Sequence, residues 1–344
     1  MHRLAFLALL ALAAPSSAEG KKRGLDIRWI DTDGGAATLI VTPAGESVLI
    51  DCGNPGKRDA ERIAKTAKEA GLERIDHLVI THWHSDHYGG AEPLSRLIPI
   101  KNFHDRGQPE KLADDKNYPV LLAAYRKASK GRSSTLKAGD EIALAQAEGA
   151  PAVKLLCVCG SGERIAAPKG TKESPFAKEH KPQKDDPSDN AKSLGFVLSF
   201  GGFRFLDLGD LTWNAEHKLV SPADLLGKVD VYQVTHHGLE ISNNPVLIKT
   251  VEPRVAVFNN GPRKGGHSSV TATLRRIPGI EGIYQMHRNM AKGAENAEPS
   301  RIANDGRKKE EGRGIVLRVD ADARGYEVVV AGGKPFRHKT RSAK

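Results

Sequence analysis

The sequence predicts a layered α/β protein. Short apolar runs recur along the chain of 344 residues, and segments whose apolar residues have helical spacing separate many of them. Both halves of the chain alternate strands with helices, which favours layers of helices on sheets over an all-β protein or a helical bundle. The length allows one large domain or two small ones. Polar loops with metal-binding side chains follow several of the apolar runs.

The first half of the chain begins with a predicted hairpin, because two apolar runs flank the turn of residues 43–46. A helix follows, since Ile63, Ala64 and Ala67 recur at helical spacing and Gly71 closes the segment. The predicted strands are 25–30, 37–42, 47–51, 75–80 and 98–103, and the predicted helices are 57–70 and 119–130.

The second half repeats this pattern and ends in a predicted hairpin. The predicted strands are 153–159, 194–199, 203–208, 229–234, 254–258, 282–286, 315–319 and 326–330, and the helices are 245–251 and 269–276. Three polar stretches near residues 105–140, 160–192 and 288–313 are predicted insertions, and we expect the second to be an exposed, mobile loop. The insertions leave a single predicted domain of residues 24–333.

The two ends of the chain differ from its body. Residues 1–18 predict a secretory signal peptide, with an apolar run after Arg3 and small residues, Ser16 and Ala18, at the cleavage site. We therefore expect an exported, periplasmic or extracellular protein without a transmembrane anchor after cleavage. The net charge of +10 lies mostly at the ends, since residues 334–344 form a basic tail and the body of the chain carries only +2. This distribution argues against a long nucleic-acid groove.

Four metal-binding side chains lie within six residues after the predicted strand 75–80. They are His82, His84, Asp86 and His87. Imidazole and carboxylate together suit zinc or a similar divalent ion. The alternative is a surface loop rich in histidine, which is improbable at this spacing with 13 histidines in the chain.

Two further strands end in residues of the same kind. Asp210 follows the run 203–208, and the pair His236 and His237 follows the run 229–234. Taken singly, Asp210 could cap a helix and one histidine could be solvated in a turn. Together with the histidine loop they suffice for two divalent ions, with Asp210 able to bridge both. Two such ions activate a water for hydrolysis.

The segment from Thr81 to Gly90 resembles the signature loop of the metallo-β-lactamase superfamily. The segments Leu208-Gly209-Asp210 and Thr235-His236-His237-Gly238 are similar to later motifs of its competence branch, the hydrolase domain of the ComEC/Rec2 type of DNA-uptake channel protein. The likeness covers roughly residues 24–333, but no channel-forming segments accompany it, so DNA uptake is not implied.

This resemblance implies a four-layer αββα sandwich with the metal site at one edge of its two sheets. It implies two ions, zinc first and manganese as the alternative, with ligands at positions 82, 84, 86, 87 and 210. His236 matches the next motif, as a ligand or as a group that stabilises the transition state, and His267 is the rival for the last ligand. We place Asp86, His236 and His237 in the catalytic set.

The chain departs from lactamases and thioesterases of the superfamily at one position. Those proteins carry another histidine between the first motif and the aspartate, and His104 and His180 lack its sequence context. Asn190 resembles an element of the competence branch instead and is predicted to hold a water or the substrate. The turn with Asn260, Arg263 and Lys264 follows a strand at the same edge and is predicted to bind phosphate or carboxylate, or to be a solvated glycine turn.

We expect an exported binuclear hydrolase that acts on a small or oligomeric anionic substrate, a phosphoester or phosphodiester first. A lactamase, lactonase or thioesterase of the same superfamily is the second hypothesis. A metal-binding or surface-adhesion protein without turnover is the third.

Overall fold

The computed structural model describes residues 23–306 and 312–342. The predicted signal peptide, residues 1–18, lies outside them. The strands are β1 (Leu25–Trp29), β2 (Thr38–Val41), β3 (Ser47–Ile50), β4 (Ile75–Val79), β5 (Ile100–Asp105), β6 (Ser134–Thr135), β7 (Glu141–Ile142), β8 (Val153–Gly160), β9 (Glu163–Arg164), β10 (Gly195–Phe200), β11 (Phe203–Asp207), β12 (Val231–Gln233), β13 (Val255–Phe258), β14 (Gly282–His287), β15 (Ile302–Asn304), β16 (Ile315–Val319), β17 (Gly325–Val330) and β18 (Phe336–Lys339). The helices are α1 (Lys57–Glu69), α2 (Ser85–Tyr88), α3 (Ala91–Ser95), α4 (Tyr118–Ala128), α5 (Trp213–Lys218), α6 (Pro245–Val251) and α7 (Ser268–Arg275).

The strands form two mixed sheets. The first has the order β18-β17-β16-β1-β2-β3-β4-β5-β6, and the second has the order β15-β14-β13-β12-β11-β10-β8-β7, with β9 paired to β8. Strands β3 to β6 are parallel, as are strands β11 to β15. Each parallel set is connected through helices, as parallel pairs require.

Three apolar cores separate four layers. The central core packs one sheet on the other, with Trp29 against Phe205 at 5.8 Å between ring centroids. A second core lies between the first sheet and α1, α3 and α4. A third lies between the second sheet and α6 and α7. The helices bury their apolar faces on the outer sides of the sheets, so the architecture is the predicted αββα sandwich.

The parallel strands bring the polar loops to one edge. The histidine loop follows β4, Asp210 follows β11, and His236 with His237 follows β12. Because the carboxyl ends of parallel strands open at the same side of a sheet, these residues from distant parts of the sequence meet there. The fold thus positions the predicted site by strand direction.

Residues 334–344 were predicted to be a basic tail, and that prediction is wrong for the part that the structure describes. Strand β18 pairs with β17 at the end of the first sheet. His338 is buried and its Nε2 lies 3.0 Å from the hydroxyl of Tyr284, while the Arg341 amide donates to Asp230 at 2.7 Å. Residues of β18 alternate between buried and exposed, so its basic side chains lie on the exposed face of the strand.

Most residues of the insertion 160–192 are exposed, as predicted, and a few anchor it to the rest of the fold. Ser174, Asp189 and Asn190 are buried, and Ser188 caps a short turn by accepting from the Asn190 amide. Across residues 23–306 and 312–342, no helix is long and apolar enough to cross a membrane.

Candidate metal centre

The centre of the site is one oxygen of Asp210. Its Oδ2 lies 3.2 Å from Nε2 of His87, 3.3 Å from Nε2 of His237, 3.4 Å from Nε2 of His236 and 3.9 Å from Nε2 of His82. Asp86 joins the group, with Oδ2 at 3.3 Å from His237 and 3.6 Å from His87. The histidine loop, Asp210 and the histidine pair therefore do come together, as predicted.

These side chains form two overlapping groups whose ligand atoms lie within 4.8 Å of one another. His82, His87 and Asp210 make the first, and Asp86, His87 and His237 make the second. Three Nε2 atoms, those of His82, His87 and His237, are buried, and none of the three has a hydrogen-bond partner in the described part of the chain. Buried polar atoms are normally hydrogen-bonded, so buried nitrogens that converge on carboxylates without forming hydrogen bonds fit a metal centre.

The charges of the cluster point the same way. Burial alone would raise the pKa of the Asp210 carboxyl, but His237, His87 and His236 outweigh it and hold that pKa well below its ordinary range. Burial alone would lower the pKa of His87, but Asp210, Asp51 and Asp86 raise it well above its ordinary value. Without a metal ion, protonated His87 and His237 balance the ionised carboxylates. A divalent ion bound among these groups would supply the same positive charge in place of the protons.

Asp51 supports the centre from behind. It follows β3 in the left-handed region, with φ of 60°, and its side chain is buried. Its Oδ2 lies 2.6 Å from Nδ1 of His87, and its two oxygens accept from the amide and the hydroxyl of Thr81 at 2.8 Å each. A carboxylate on the far nitrogen of a ligand histidine fixes its tautomer and orientation. Asp51 was not among the residues predicted for the site, although its position at a strand end, two residues before Gly53, was a usable signal.

His236 and His237 form a strained turn. Both have positive φ, 54° and 53°, in a conformation that costs free energy for residues other than glycine. The turn aims both imidazoles at Asp210 from adjacent positions. Gly265 makes it possible, since a Cβ there would come within 2.0 Å of the His237 carbonyl oxygen. His236 also lies with Nδ1 at 3.0 Å from the Ser242 hydroxyl, and burial lowers its pKa to about 4.

Two predicted ligands have other partners. His84 belongs to neither group of converging ligand atoms, and its Nε2 lies 2.9 Å from Asp114. Its ring nevertheless packs 4.8 Å from that of His82. His267, the predicted rival ligand, is exposed, caps α7 and pairs with Glu240 at 3.2 Å, so the structure removes it from the site. The last ligand was left open between His236, His237 and His267, and it is His237 that lies with Asp86 and His87.

The predicted substrate-binding residues divide in the same way. Asn190 faces the centre, with Nδ2 at 3.5 Å from Nε2 of His236 and a buried Oδ1 that has no partner among the described residues. The prediction that Asn260 binds the substrate is wrong, because its side chain is fully buried and donates to the carbonyls of Gly261 and His287. Lys264 contacts the Asp86 carboxylate, and Arg263 is exposed beside it.

The histidines between the first motif and Asp210 lie outside the cluster. His104 is bonded to His77 through ring nitrogens 3.0 Å apart, and His180 stacks on His217. Neither of these histidines therefore supplies a ligand, whereas Asn190, from the same interval of the sequence, lies beside His236.

Comparison with known proteins agrees with this geometry. Residues 30–151 match the family model of the metallo-beta-lactamase superfamily. Recombination protein 2 of Haemophilus influenzae is 36% identical over 253 residues, which are 72% of this chain and 26% of that protein. ComE operon protein 3 of Bacillus subtilis is 26% identical over 208 residues, 59% of this chain and 22% of that protein.

A second kind of relative matches a shorter stretch. An atrochrysone carboxyl ACP thioesterase of Pseudocercospora fijiensis is 33% identical over 78 residues, 22% of this chain and 23% of that protein. This chain spans about a quarter of the length of each of these three relatives. The matched motif, the αββα layers and the converging histidines and aspartates lead to one assignment. The chain has the αββα fold of the metallo-hydrolases of the metallo-β-lactamase superfamily, matches that superfamily's family model over residues 30–151, and resembles its competence branch.

Proposed function

We propose that the protein is a hydrolase that uses two divalent ions, zinc first and manganese as the alternative, to cleave phosphodiesters. The observation that carries the proposal is the convergence of four imidazoles on Oδ2 of buried Asp210, with Asp86 beside them. A single carboxylate amid four imidazoles is suited to bridge two cations.

The ligands divide into two sets around Asp210. His82 and, through its remaining nitrogen, His84 would hold one ion, and Asp86, His87 and His237 would hold the other. Asp210 would serve both. When bound, such ions lower the pKa of a water and stabilise negative charge on the attacking and leaving oxygens.

His236 and Asn190 remain for the substrate. Ser242 engages Nδ1 of His236 at 3.0 Å, so its Nε2 is the nitrogen available toward the cluster. Asn190 Nδ2 lies 3.5 Å from that atom. The pair would hydrogen-bond an oxygen of the reacting group, which is the role of preorganised donors in hydrolysis.

A basic cleft beside the cluster supports a phosphodiester. The cleft has a volume of about 610 Å³, and four basic side chains line it against two carboxylates. Asp31 is engaged by Arg62 at 3.0 Å and by His287 at 2.7 Å, and Asp33 is engaged by Arg58 at 3.2 Å. The lining basic residues are Arg58, Arg62, Arg263 and Lys264. Arg58, Arg62 and Lys264 each contact a carboxylate, so an anionic substrate in this cleft would meet the exposed Arg263 first.

Hydrolysis of an acyl or lactam bond is the second candidate. The similarity of a short stretch to a thioesterase favours it. No histidine from the described residues between the first motif and Asp210 joins the cluster, and this difference from such enzymes argues for the phosphodiester. A metal-binding or adhesion protein without turnover is the third candidate, and the convergence of four imidazoles around one carboxylate argues against it.

We also propose that the protein is exported. The proposal rests on the sequence of residues 1–18, with its apolar run and small residues at the expected cleavage site. Cell fractionation of the full chain, with mass determination of the mature protein, tests it. Retention of an uncleaved chain in the cytoplasmic fraction would contradict export.

The function is tested with purified protein loaded with Zn²⁺ or Mn²⁺ and a panel of four substrates. These are bis-p-nitrophenyl phosphate, single-stranded DNA, nitrocefin and a thioester. We expect cleavage of a phosphodiester, at a rate at least about 100-fold lower in Asp210→Ala because this change removes the shared ligand. Glu110→Ala, an exposed residue on a neighbouring insertion, is the control.

The panel also separates the candidates. Cleavage of nitrocefin or the thioester without any phosphodiester cleavage would reject the proposed substrate class. Bound metal without any turnover would favour the third candidate. If Asp210→Ala retained full metal content and activity, the assignment of the centre would be wrong.

A further inference from the structure

The two insertions that begin near residues 105 and 160 meet behind the histidine loop. Oδ2 of Asp114, from the first insertion, lies 2.9 Å from Nε2 of His84 and accepts from the Asp189 amide, also at 2.9 Å. Asp189 belongs to the second insertion. One carboxylate oxygen therefore joins a predicted ligand to both insertions.

A buried ion pair completes the contact. The side chains of Arg106 and Asp189 are 6% and 0% exposed. Nε of Arg106 donates to Asp189 Oδ2 at 3.1 Å, and the same oxygen accepts from the Trp83 amide at 2.7 Å. Trp83 stands between His82 and His84, so the ion pair holds the backbone of the histidine loop directly. Replacing one partner of such a pair leaves an uncompensated buried charge.

We propose that Asp114 is a positioning residue for the metal centre, and that it presents His84 with Nδ1 available to an ion. The inference rests on the proposed function, since it concerns a ligand of that centre. Asp189 and Arg106 act on the same loop through the Trp83 amide.

The physical reason lies in the tautomer of His84. A neutral imidazole carries its proton on one nitrogen and offers a lone pair on the other. A carboxylate at 2.9 Å from Nε2 favours the proton on Nε2, because Asp114 can only accept there when ionised. The lone pair is then on Nδ1. Without Asp114, the two tautomers and the orientations of the half-buried ring compete, and a ligand that must be ordered on binding binds more weakly.

The insertion thus contributes to metal affinity through Asp114, which precedes α4. Asp114 is 29% exposed at its side chain, so its removal leaves no buried cavity. Asp114 also accepts from the Asp189 amide, and the residue after Asp189 is Asn190, which lies beside His236. Loss of Asp114 should therefore weaken the metal centre with little effect on the folding of the metal-free protein.

The test compares Asp114→Ala, Asp114→Asn and Glu110→Ala in the full protein. Glu110 is exposed on the same insertion and has no hydrogen bond or ion pair to any described residue, so it controls for loss of a carboxylate. Zn²⁺ affinity is measured by competition with a chromogenic chelator, and the visible spectrum of the Co²⁺-loaded protein reports the coordination of the ion at His84. Thermal unfolding of the metal-free protein reports stability.

We expect Asp114→Ala to weaken binding of one of the two Zn²⁺ ions by about 10- to 100-fold and to change the Co²⁺ spectrum. Asp114→Asn should recover most of the affinity, because its amide oxygen can accept from both Nε2–H of His84 and the Asp189 amide. Glu110→Ala should match the wild type. The melting temperatures of the metal-free proteins should agree.

Equal Zn²⁺ affinity in Asp114→Ala and Glu110→Ala would overturn the inference while leaving the proposed function intact. A drop in melting temperature without a change in affinity would also overturn it, since the role would then be structural. Wild-type protein that binds no Zn²⁺ would overturn both, whereas tight binding of two ions without hydrolysis would contradict the proposed function alone.

Discussion

Replacement of Asp51 by asparagine should separate metal binding from folding. Asparagine tolerates the left-handed backbone at this position, where φ is 60°. Its amide can keep both contacts to Thr81, because the oxygen accepts from the backbone amide and the NH₂ donates to the hydroxyl. The contact to Nδ1 of His87, 2.6 Å in the wild type, loses its charge. An NH₂ group at that place favours His87 with its proton on Nε2, the nitrogen that faces Asp210.

The size of the effect follows from these contacts. Loss of a hydrogen bond to a charged group costs about 1.5–3 kcal/mol, so Zn²⁺ affinity should fall by roughly 10- to 100-fold in Asp51→Asn. Asp51→Ala differs, because it leaves the Thr81 amide, the Thr81 hydroxyl and His87 Nδ1 without their partner. At about 1–3 kcal/mol for each buried donor, that variant should lose about 3 kcal/mol or more of folding free energy.

The assay pairs chelator competition for Zn²⁺ with urea unfolding of the metal-free proteins. Asp59→Asn is the matched control, since Asp59 is an equally buried carboxylate that binds the Asn54 amide at 2.8 Å and has no contact to a predicted ligand. Wild-type Zn²⁺ affinity in Asp51→Asn would refute the reasoning. So would a loss of affinity of the same size in Asp59→Asn.

Three further changes give distinct outcomes. Gly265→Ala should cost about 2 kcal/mol or more of folding free energy and weaken Zn²⁺ binding, because the new Cβ would clash with the His237 carbonyl oxygen. Gly279→Ala is the control, since Gly279 has a similar φ but no atom near its Cβ position. An equal loss of thermal stability in both variants would show that the clash is not the cause. Burial raises the pKa of Glu216 from 4.5 to about 7, so folding stability should fall as pH rises through that interval. Glu216→Gln should remove this pH dependence and add up to about 3 kcal/mol of folding free energy above pH 7. If the urea midpoints of wild type and variant shift equally between pH 5 and pH 8, this reasoning is wrong. Deletion of residues 334–344 should cost about 2–4 kcal/mol because it removes β18, whereas an unchanged melting temperature would indicate a dispensable tail.

Most of the secondary structure could be predicted because local signals were strong. The predicted helix 245–251 and strand 315–319 have the observed bounds, and the predicted strand 75–80 differs from β4 by one residue. Apolar runs with turn residues at their ends specify such elements locally. The short strands β6, β7 and β9 escaped prediction, since two residues carry no periodicity and acquire their strand geometry from the neighbour with which they pair.

The errors at the site share one cause. His267 and Asn260 stand in sequence contexts typical of functional loops, yet one side chain faces solvent and the other holds two backbone segments together. Asp114 and Arg106 lie in a polar stretch without any pattern. In each case, the direction of the side chain and the distant residue that it contacts determine whether it belongs to the site. Neither can be predicted from a short window of sequence.

The sequence by itself determined that strands end in histidines and aspartates, and therefore that a metal centre of this superfamily was to be expected. Strand direction, which the alternation of strands and helices implies, was enough to gather His82, His87 and Asp210 at one edge. The tertiary structure alone decided which member of the pair His236 and His237 joins Asp86, and that the insertions support the loop from behind. Those outcomes depend on backbone torsions of one turn and on contacts between residues more than 70 positions apart, where packing and charge, not local pattern, select the geometry.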